Sequence, residues 1–314
     1  MWLDVLIALA SFALLVWSAD KMVEGSASIA TRFHISNVLI GLTIVAFGTS
    51  APELIISSIS SYQGQSAMAM GNVMGSNIFN VLAILGVTSL ITIVPVQRQT
   101  ILFEVPLMIA ATAMIAISFY SGDGGDLVIN RIEASVMLVG FVVFLIYIII
   151  SSRNQAALPH DEEVEVLPIW KSILWVVIGI AGLLYGGHLL VNKAVLIAQG
   201  WGISEHIIAV TIVSVGTSLP ELVTSVVAAY KKNTDMAVGN IIGSCLFNSF
   251  AILGISAMIS PISLNMDVDL DIKVNFLAAI LLYVFIFTGK GRNIERWEGC
   301  ILLSVFAGYM YMLL

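Results

Sequence analysis

Two motifs decide how this chain is interpreted, because each of them occurs twice. The stretch Gly48–Glu53, GTSAPE, returns 168 residues later as Gly216–Glu221, GTSLPE. The stretch Gly71–Asn80, GNVMGSNIFN, returns at the same offset as Gly239–Asn248, GNIIGSCLFN. Each copy places a carboxylate, hydroxyl groups and an asparagine inside a long apolar run, where a charge is expensive to insert. The duplication of such residues predicts one shared ion site.

The composition indicates a polytopic membrane protein that is surrounded by the lipid bilayer. Of the 314 residues 59% are hydrophobic and only 11% are charged, with a mean hydropathy of +1.02. These values leave no room for a water-soluble surface. The net charge of -7, with basic residues that are scattered, argues against a nucleic-acid partner. We interpret the first apolar run, from Trp2 to Trp17, as a transmembrane helix and not as a signal peptide.

Ten stretches are long and apolar enough to cross a bilayer, which needs roughly 20 residues. They cover about residues 2–19, 36–61, 66–94, 101–120, 132–151, 169–190, 204–230, 236–262, 273–289 and 297–314. A polar, acidic stretch divides them into two groups of five. We therefore predict a first five-helix repeat at 1–150, an acidic linker at 151–168 and a second repeat at 169–314.

The basic residues predict the orientation of this arrangement. On the side of the linker the ten-span interpretation places Lys21, Arg32, Arg98, Arg153, Lys171, Lys231, Lys232, Lys290, Arg292 and Arg296. The other side has Arg131, Lys193 and Lys273. This asymmetry puts the linker in the cytoplasm and both termini outside, in a plasma or inner membrane. Because each half has an odd number of spans, the second half enters the membrane from the side opposite to the first. The predicted fold is all-α, with ten transmembrane helices as two inverted five-helix repeats, an architecture of secondary transporters.

The repeated motifs also predict the chemistry of the site. Pro52 and Pro220 lack an amide hydrogen and clash with the carbonyl four residues back, which predicts free carbonyls at 46–48 and 214–216. In each copy a threonine and a serine precede the glutamate by four and three residues, so that one helix face gathers them. Asparagine, serine and asparagine follow at steps of four, as Asn72, Ser76 and Asn80 and as Asn240, Ser244 and Asn248. Such oxygen ligands suit calcium and sodium, and no imidazole or thiolate suited to zinc or copper joins them.

The blocks GTSAPEL with GNVMGSNIFN and GTSLPEL with GNIIGSCLFN resemble the two alpha-repeats of the calcium/cation antiporter superfamily, and most of all its prokaryotic sodium/calcium exchangers. The resemblance covers essentially the whole chain. It implies alternating access, in which the first helix of each half, about 2–19 and 169–190, slides across the rest. The cation ligands that it implies are Thr49, Ser50, Glu53, Ser76, Asn80 and the carbonyl of Ala46, together with Thr217, Ser218, Glu221, Ser244, Asn248 and the carbonyl of Ser214.

Asn248 departs from the pattern of this family, in which many sodium/calcium exchangers have an aspartate at that position. The site then holds two carboxylates, which balance one calcium ion, two sodium ions or two protons. Exchange of calcium for sodium is our first hypothesis. A proton/calcium antiporter of the same superfamily is the alternative, and a cation channel is less favoured.

No motif of an intramembrane enzyme is found, so we expect neither catalysis nor a cofactor beyond the transported ions. Interhelical contacts explain Asn72 and Asn240 as well as ion binding does, and we leave both outside the primary ligand set.

Overall fold

A computed structural model describes residues 2–120, 127–154, 166–203, 208, 212, 214–264, 268–289 and 291–313. Most of the predicted linker 151–168 and most of the start of the seventh span, residues 204–213, lie outside the described residues, and so does the side chain of Ser214.

The described chain is almost entirely helical. Its helices are α1 (Trp2–Phe33), α2 (Asn37–Thr49), α3 (Ala51–Tyr62), α4 (Ala67–Ile91), α5 (Thr100–Ser118), α6 (Arg131–Ser152), α7 (Ile169–Gly200), α8 (Leu219–Tyr230), α9 (Thr234–Ile259), α10 (Asp269–Thr288) and α11 (Arg296–Leu313). Seven of them are long and apolar enough to cross a membrane, and the bent pair α2 and α3 gives an eighth candidate span. The prediction of an all-helical polytopic membrane protein is confirmed.

Helices α1 and α7 are longer than the sequence indicated, with 32 residues each. The predicted ends near residues 19 and 190 are wrong. In α1 the charges that follow residue 19 have partners, since Lys21 donates to Glu24 at 2.6 Å and Asp20 pairs with Lys231 at 2.6 Å. A helix of this length spans about 48 Å at 1.5 Å per residue. It therefore tilts or projects beyond a bilayer core of about 30 Å.

The two long helices pack closely against each other along small residues. A Cβ atom at Gly179 of α7 would lie 2.6 Å from the Cβ atom of Met22 in α1, so that no larger residue fits there without movement. The rings of Trp17 and Trp175 meet edge to face across the same pair, with centroids 6.3 Å apart. Helices α1 and α7 thus form one closely packed unit.

Helix breaks occur at the first repeated motif in each half. Helices α2 and α3 meet at an angle of 50°, with the break at Ser50 and Pro52 in the first turn of α3. In the second half a helical turn at Ser214–Gly216 precedes α8, whose first turn contains Pro220. Proline suits a first helical turn because its missing N–H would have no intrahelical acceptor there.

Helices α4 and α9 form the buried centre of the molecule and carry the second motif. Each contains a π-helical segment, at Phe79–Ile84 in α4 and at Phe247–Ile252 in α9. Such segments in longer helices are frequent at functional sites. Helix α9 approaches α2 backbone to backbone, because a Cβ atom at Gly239 would lie only 2.3 Å from the carbonyl oxygen of Val38. This approach brings the second motif of one half against the first motif of the other.

Two short antiparallel ribbons join the halves. Strand β1 (Val94–Pro95) pairs with β4 (Asn293–Ile294), and β2 (Leu127–Ile129) pairs with β3 (Ile262–Leu264). Helix α5 runs from β1 to β2, whereas α10 runs from β3 to β4. Helices α5 and α10 therefore run in opposite directions through the molecule.

Candidate cation site

Two glutamates stand at the centre of the site, each in the first turn of a helix that follows a break. Glu53 lies in the first turn of α3 and Glu221 in the first turn of α8, and the two residues are 0% and 1% exposed. The first backbone N–H groups of a helix have no intrahelical acceptors and favour negative charge close by. The break before each helix thus places a carboxylate beside free backbone donors within the protein interior.

The serines of the first motif cross between the halves. Ser50 donates to Oε1 of Glu221 at 2.8 Å, and Ser218 donates to Oε1 of Glu53 at 3.1 Å. The sequence predicted that Ser50 and Glu53 share one helix face. In the structure the helix is interrupted at Ser50, and the hydroxyl group of Ser50 bonds the glutamate of the other half.

The serines of the second motif complete each set of hydroxyl groups. Ser244 lies 3.0 Å from Ser50, and Ser76 lies 3.2 Å from Ser218, oxygen to oxygen. Ser76 also lies 3.5 Å from Oε1 of Glu53. Each glutamate is thereby joined to a serine of the opposite half, and that serine to a serine of the glutamate's own half.

The threonines and the predicted carbonyl ligands differ between the halves. Thr49 Oγ1 lies 3.2 Å from the carbonyl of Ala46, which also accepts from the N–H of Ser50 at 3.0 Å. The prediction that this carbonyl is free is wrong for this conformation, because the turn before the break keeps its hydrogen bonds. Thr217 Oγ1 is buried and has no hydrogen-bond partner within the described part of the chain. Ser214 lies in the helical turn before Thr217.

Asn72 and Asn240 lie behind the carboxylates and join neighbouring helices. Asn72 donates to the carbonyl of Glu53 at 3.3 Å and to Ser57 at 2.8 Å. Asn240 makes the matching contacts, to the carbonyl of Glu221 at 3.3 Å and to the hydroxyl group of Ser225 at 2.9 Å. These bonds fix the two breaks against α4 and α9.

Four buried carboxylate and amide oxygen atoms of the site have no hydrogen-bond donor among the described residues. They are Oε2 of Glu53, Oε2 of Glu221, Oδ1 of Asn80 and Oδ1 of Asn248. Asn80 and Asn248 follow Ser76 and Ser244 by one helical turn, on the same faces of α4 and α9. A buried acceptor without a donor has lost its hydrogen bonds to water and gained no other bond, which costs free energy. A hard cation is the partner that such oxygen atoms prefer.

Two further residues near the site, Asn77 and Ser249, were missed by the sequence analysis. Asn77 accepts a hydrogen bond from Nδ2 of Asn248 at 3.1 Å and donates to Ser249 at 2.9 Å. All three side chains are at most 2% exposed. The available signal was the mismatch inside the repeated motif, which has Asn77 in the first copy and Cys245 in the second.

The chain belongs to the family of sodium/calcium exchanger proteins, whose sequence profile matches residues 3–150 and 171–314. It is 40% identical to CaxA of Alkalimonas amylolytica, described as a candidate antiporter, over 97% of each chain. It is 29% identical to the sodium/calcium exchanger MaX1 of Methanosarcina acetivorans, over 98% of this chain and 97% of that one. A solved structure of the sodium-calcium exchanger NCX_Mj has a TM-score of 0.82 at 30% identity, with 99% of both chains covered.

The resemblance that the repeated motifs indicated is therefore confirmed. The protein is an integral membrane protein of a transporter family, a cation/calcium antiporter and not an enzyme.

Proposed function

We propose that this protein exchanges calcium for sodium by alternating access, at one site built from both halves. The observation that carries the proposal is the set of four buried acceptor oxygens on Glu53, Glu221, Asn80 and Asn248, two from each half. The crossed bonds from Ser50 and Ser218 hold the two carboxylates together in one cluster. The remaining proposed ligands are Thr49, Ser76, Thr217, Ser244 and the carbonyls of Ala46 and Ser214.

The charge of the cluster fits one calcium ion or two sodium ions. Two carboxylates offset two positive charges, and in a poorly solvated site a third positive charge would be left without a counter-charge. Calcium accepts six to eight oxygen ligands, a number that the proposed carboxylate, hydroxyl, amide and carbonyl oxygens can supply. Similarity to MaX1 and to NCX_Mj, both described as sodium/calcium exchangers, supports sodium as the coupling ion.

The proposed architecture is ten helices in two inverted five-helix repeats, 1–150 and 169–314, with 151–168 as the linker. The opposite directions of α5 and α10 support the inversion, as does the match of the family profile in two segments that flank the linker. The crossed serine bonds support it further, because each half provides the same contact to the other.

The proposed orientation places the linker in the cytoplasm and both termini outside, in the plasma or inner membrane. Two contacts support the grouping of these residues at two opposite ends. Arg32 donates to the carbonyl of Leu167 at 3.1 Å, at the end that carries the linker. Lys193 pairs with Asp4 at 2.9 Å, at the opposite end.

We assign the change of access to the packed pair α1 and α7. These helices contact each other along their length, and α1 also packs against α8, the helix that carries Glu221. Small residues along the α1–α7 contact let the two helices move as one unit against the site. The ion pair between Asp20 and Lys231 joins this unit to the end of α8.

The test is calcium uptake into proteoliposomes that contain the full chain. Vesicles loaded with sodium, with potassium or with acid are diluted into medium with radioactive calcium, so that each gradient acts alone. We expect uptake with the outward sodium gradient only. Uptake driven only by the proton gradient would instead identify a proton/calcium antiporter. Calcium flux that needs no counter-gradient would identify a channel.

A further inference from the structure

The amide group of Asn248 is held in one orientation by neighbours that are themselves buried. Its Nδ2 atom donates to Oδ1 of Asn77, whose own Nδ2 atom donates to the hydroxyl group of Ser249. Oδ1 of Asn248 is left buried and without a donor in the described structure. We infer that Asn77 is a positioning residue, which keeps the oxygen of Asn248 directed toward the cation.

The first half has no such arrangement for its own asparagine. At the offset of the repeat, Cys245 corresponds to Asn77, Asn80 to Asn248, and Val81 to Ser249. Cys245 and Val81 are as buried as their counterparts, at 1% and 2% exposure. Neither Nδ2 nor Oδ1 of Asn80 makes a full hydrogen bond among the described residues, and its neighbour Cys245 offers only a weakly polar thiol. The two amides of a site with otherwise matching halves are therefore held differently.

Orientation matters because the two ends of an amide have opposite effects on a cation. The oxygen is a ligand for calcium or sodium, whereas the NH2 group presents hydrogens with partial positive charge. An amide that is free to turn can direct its NH2 group into the site, where the partial positive charge opposes cation binding. Asn77 keeps the amide of Asn248 out of this competing orientation. The side chain of Asn248 then loses less conformational freedom when the ion binds, which favours binding.

This inference rests on the proposed function, since it requires that Asn248 bind the transported cation. It is tested by direct calcium binding, measured by calorimetry on the purified full chain in detergent without a coupling ion. Asn77→Cys removes the amide and introduces the residue that the second half has at the matching position. We expect calcium affinity to fall about tenfold, or about 1.4 kcal/mol, in a variant that a cooperative melting transition shows to be folded.

Two variants separate positioning from a general loss of packing. Asn77→Asp can still accept hydrogen bonds from Nδ2 of Asn248 and from Ser249, and we expect at least the calcium affinity of the unmodified protein. Asn275→Cys removes another buried amide, whose hydrogen bond goes to the sulfur of Met74 and not to a proposed ligand. It should leave calcium affinity unchanged.

Equal affinities for Asn77→Cys and the unmodified protein, or an equal loss in Asn275→Cys, would overturn the inference and leave the proposed function intact. The same holds if Asn77→Asp binds calcium as weakly as Asn77→Cys. Absence of calcium binding in the unmodified protein would overturn the proposed function and this inference together.

Discussion

Glu53 and Glu221 have matching surroundings in the two halves of the site, whereas Asn80 and Asn248 do not. Each glutamate is in the first turn of a helix, accepts a bond from a serine of the other half, and has an asparagine bound to its backbone carbonyl. Of the two other asparagines, Asn248 donates to Asn77, whereas Asn80 makes no hydrogen bond within the described chain and faces the weakly polar thiol of Cys245. The two halves thus hold their carboxylates in the same way, but they hold the amides of Asn80 and Asn248 differently.

The largest effect is expected where the halves agree. Glu53→Gln and Glu221→Gln each remove one of two charges that offset the calcium ion, and each should abolish sodium-driven calcium uptake. We expect equal losses, of about a hundredfold or more, because a buried cation with one carboxylate keeps an excess charge. Glu104→Gln is the matched control, since Glu104 is 1% exposed and bonded to Tyr147 outside the site. Full activity in either site variant would remove that glutamate from the site.

The crossed serines should give the next largest effect. Ser50→Ala removes a bond to Glu221, and Ser218→Ala removes a bond to Glu53. A hydrogen bond to a charged group contributes about 1.5–3 kcal/mol, so we expect each variant to weaken calcium binding by about tenfold or more. Calorimetry measures the change. Ser61→Ala is the control, because Ser61 is equally buried but has no hydrogen-bond partner in the described structure. A loss of calcium affinity in only one of the two variants would show that the two glutamates are not held in equivalent ways.

Much of this site could be predicted from the sequence, because the proposed ligands are repeated and a repeat indicates which residues act together. The buried glutamates and the serines next to them were found in this way. The crossing of Ser50 and Ser218 could not be predicted, because it depends on the 50° bend at the helix break and not on residue spacing. The role of Asn77 was hidden for the opposite reason, since it lies at a position where the repeat fails.

In the fold, too, the features that depend on contacts between distant residues could not be predicted from the sequence. Most predicted spans agree with the described helices to within a few residues, but α1 and α7 continue past the predicted ends. In α1 the charges of Asp20 and Lys21 resemble a helix end in the sequence. In the structure their partners Lys231 and Glu24 neutralise them. Pairing between distant residues is a tertiary feature that hydropathy does not contain.

Asn248→Asp sharpens the comparison of the two amides by adding a third carboxylate. Asn77 can turn its amide toward the new carboxylate, since the hydroxyl group of Ser249 can donate as well as accept. One more negative charge offsets one more cation, so we expect a several-fold gain in apparent sodium affinity, or a higher number of sodium ions per calcium. Reversal potentials in proteoliposomes measure the coupling number. Tight three-to-one coupling in the unmodified protein would show that charge balance does not set the stoichiometry.

The smallest effect is expected when the first half is given the missing contacts. The double variant Cys245→Asn with Val81→Ser should hold Asn80 as Asn77 and Ser249 hold Asn248. We expect calcium affinity to rise about twofold to fivefold, the lower part of the about 0.5–1.5 kcal/mol that the ordering of one side chain is worth. Val81→Ser alone is the control and should leave affinity unchanged. An unchanged affinity in the double variant would mean that Asn80 is already ordered by other means.

The claim that both halves form one site is tested most directly by the stoichiometry of calcium binding. Calorimetry on the purified full chain should give one calcium ion per chain, and neither Glu53→Gln nor Glu221→Gln should retain measurable binding under the same conditions. Two calcium ions per chain, of which each single variant loses one and keeps the other, would contradict the account, because the halves would then bind calcium independently.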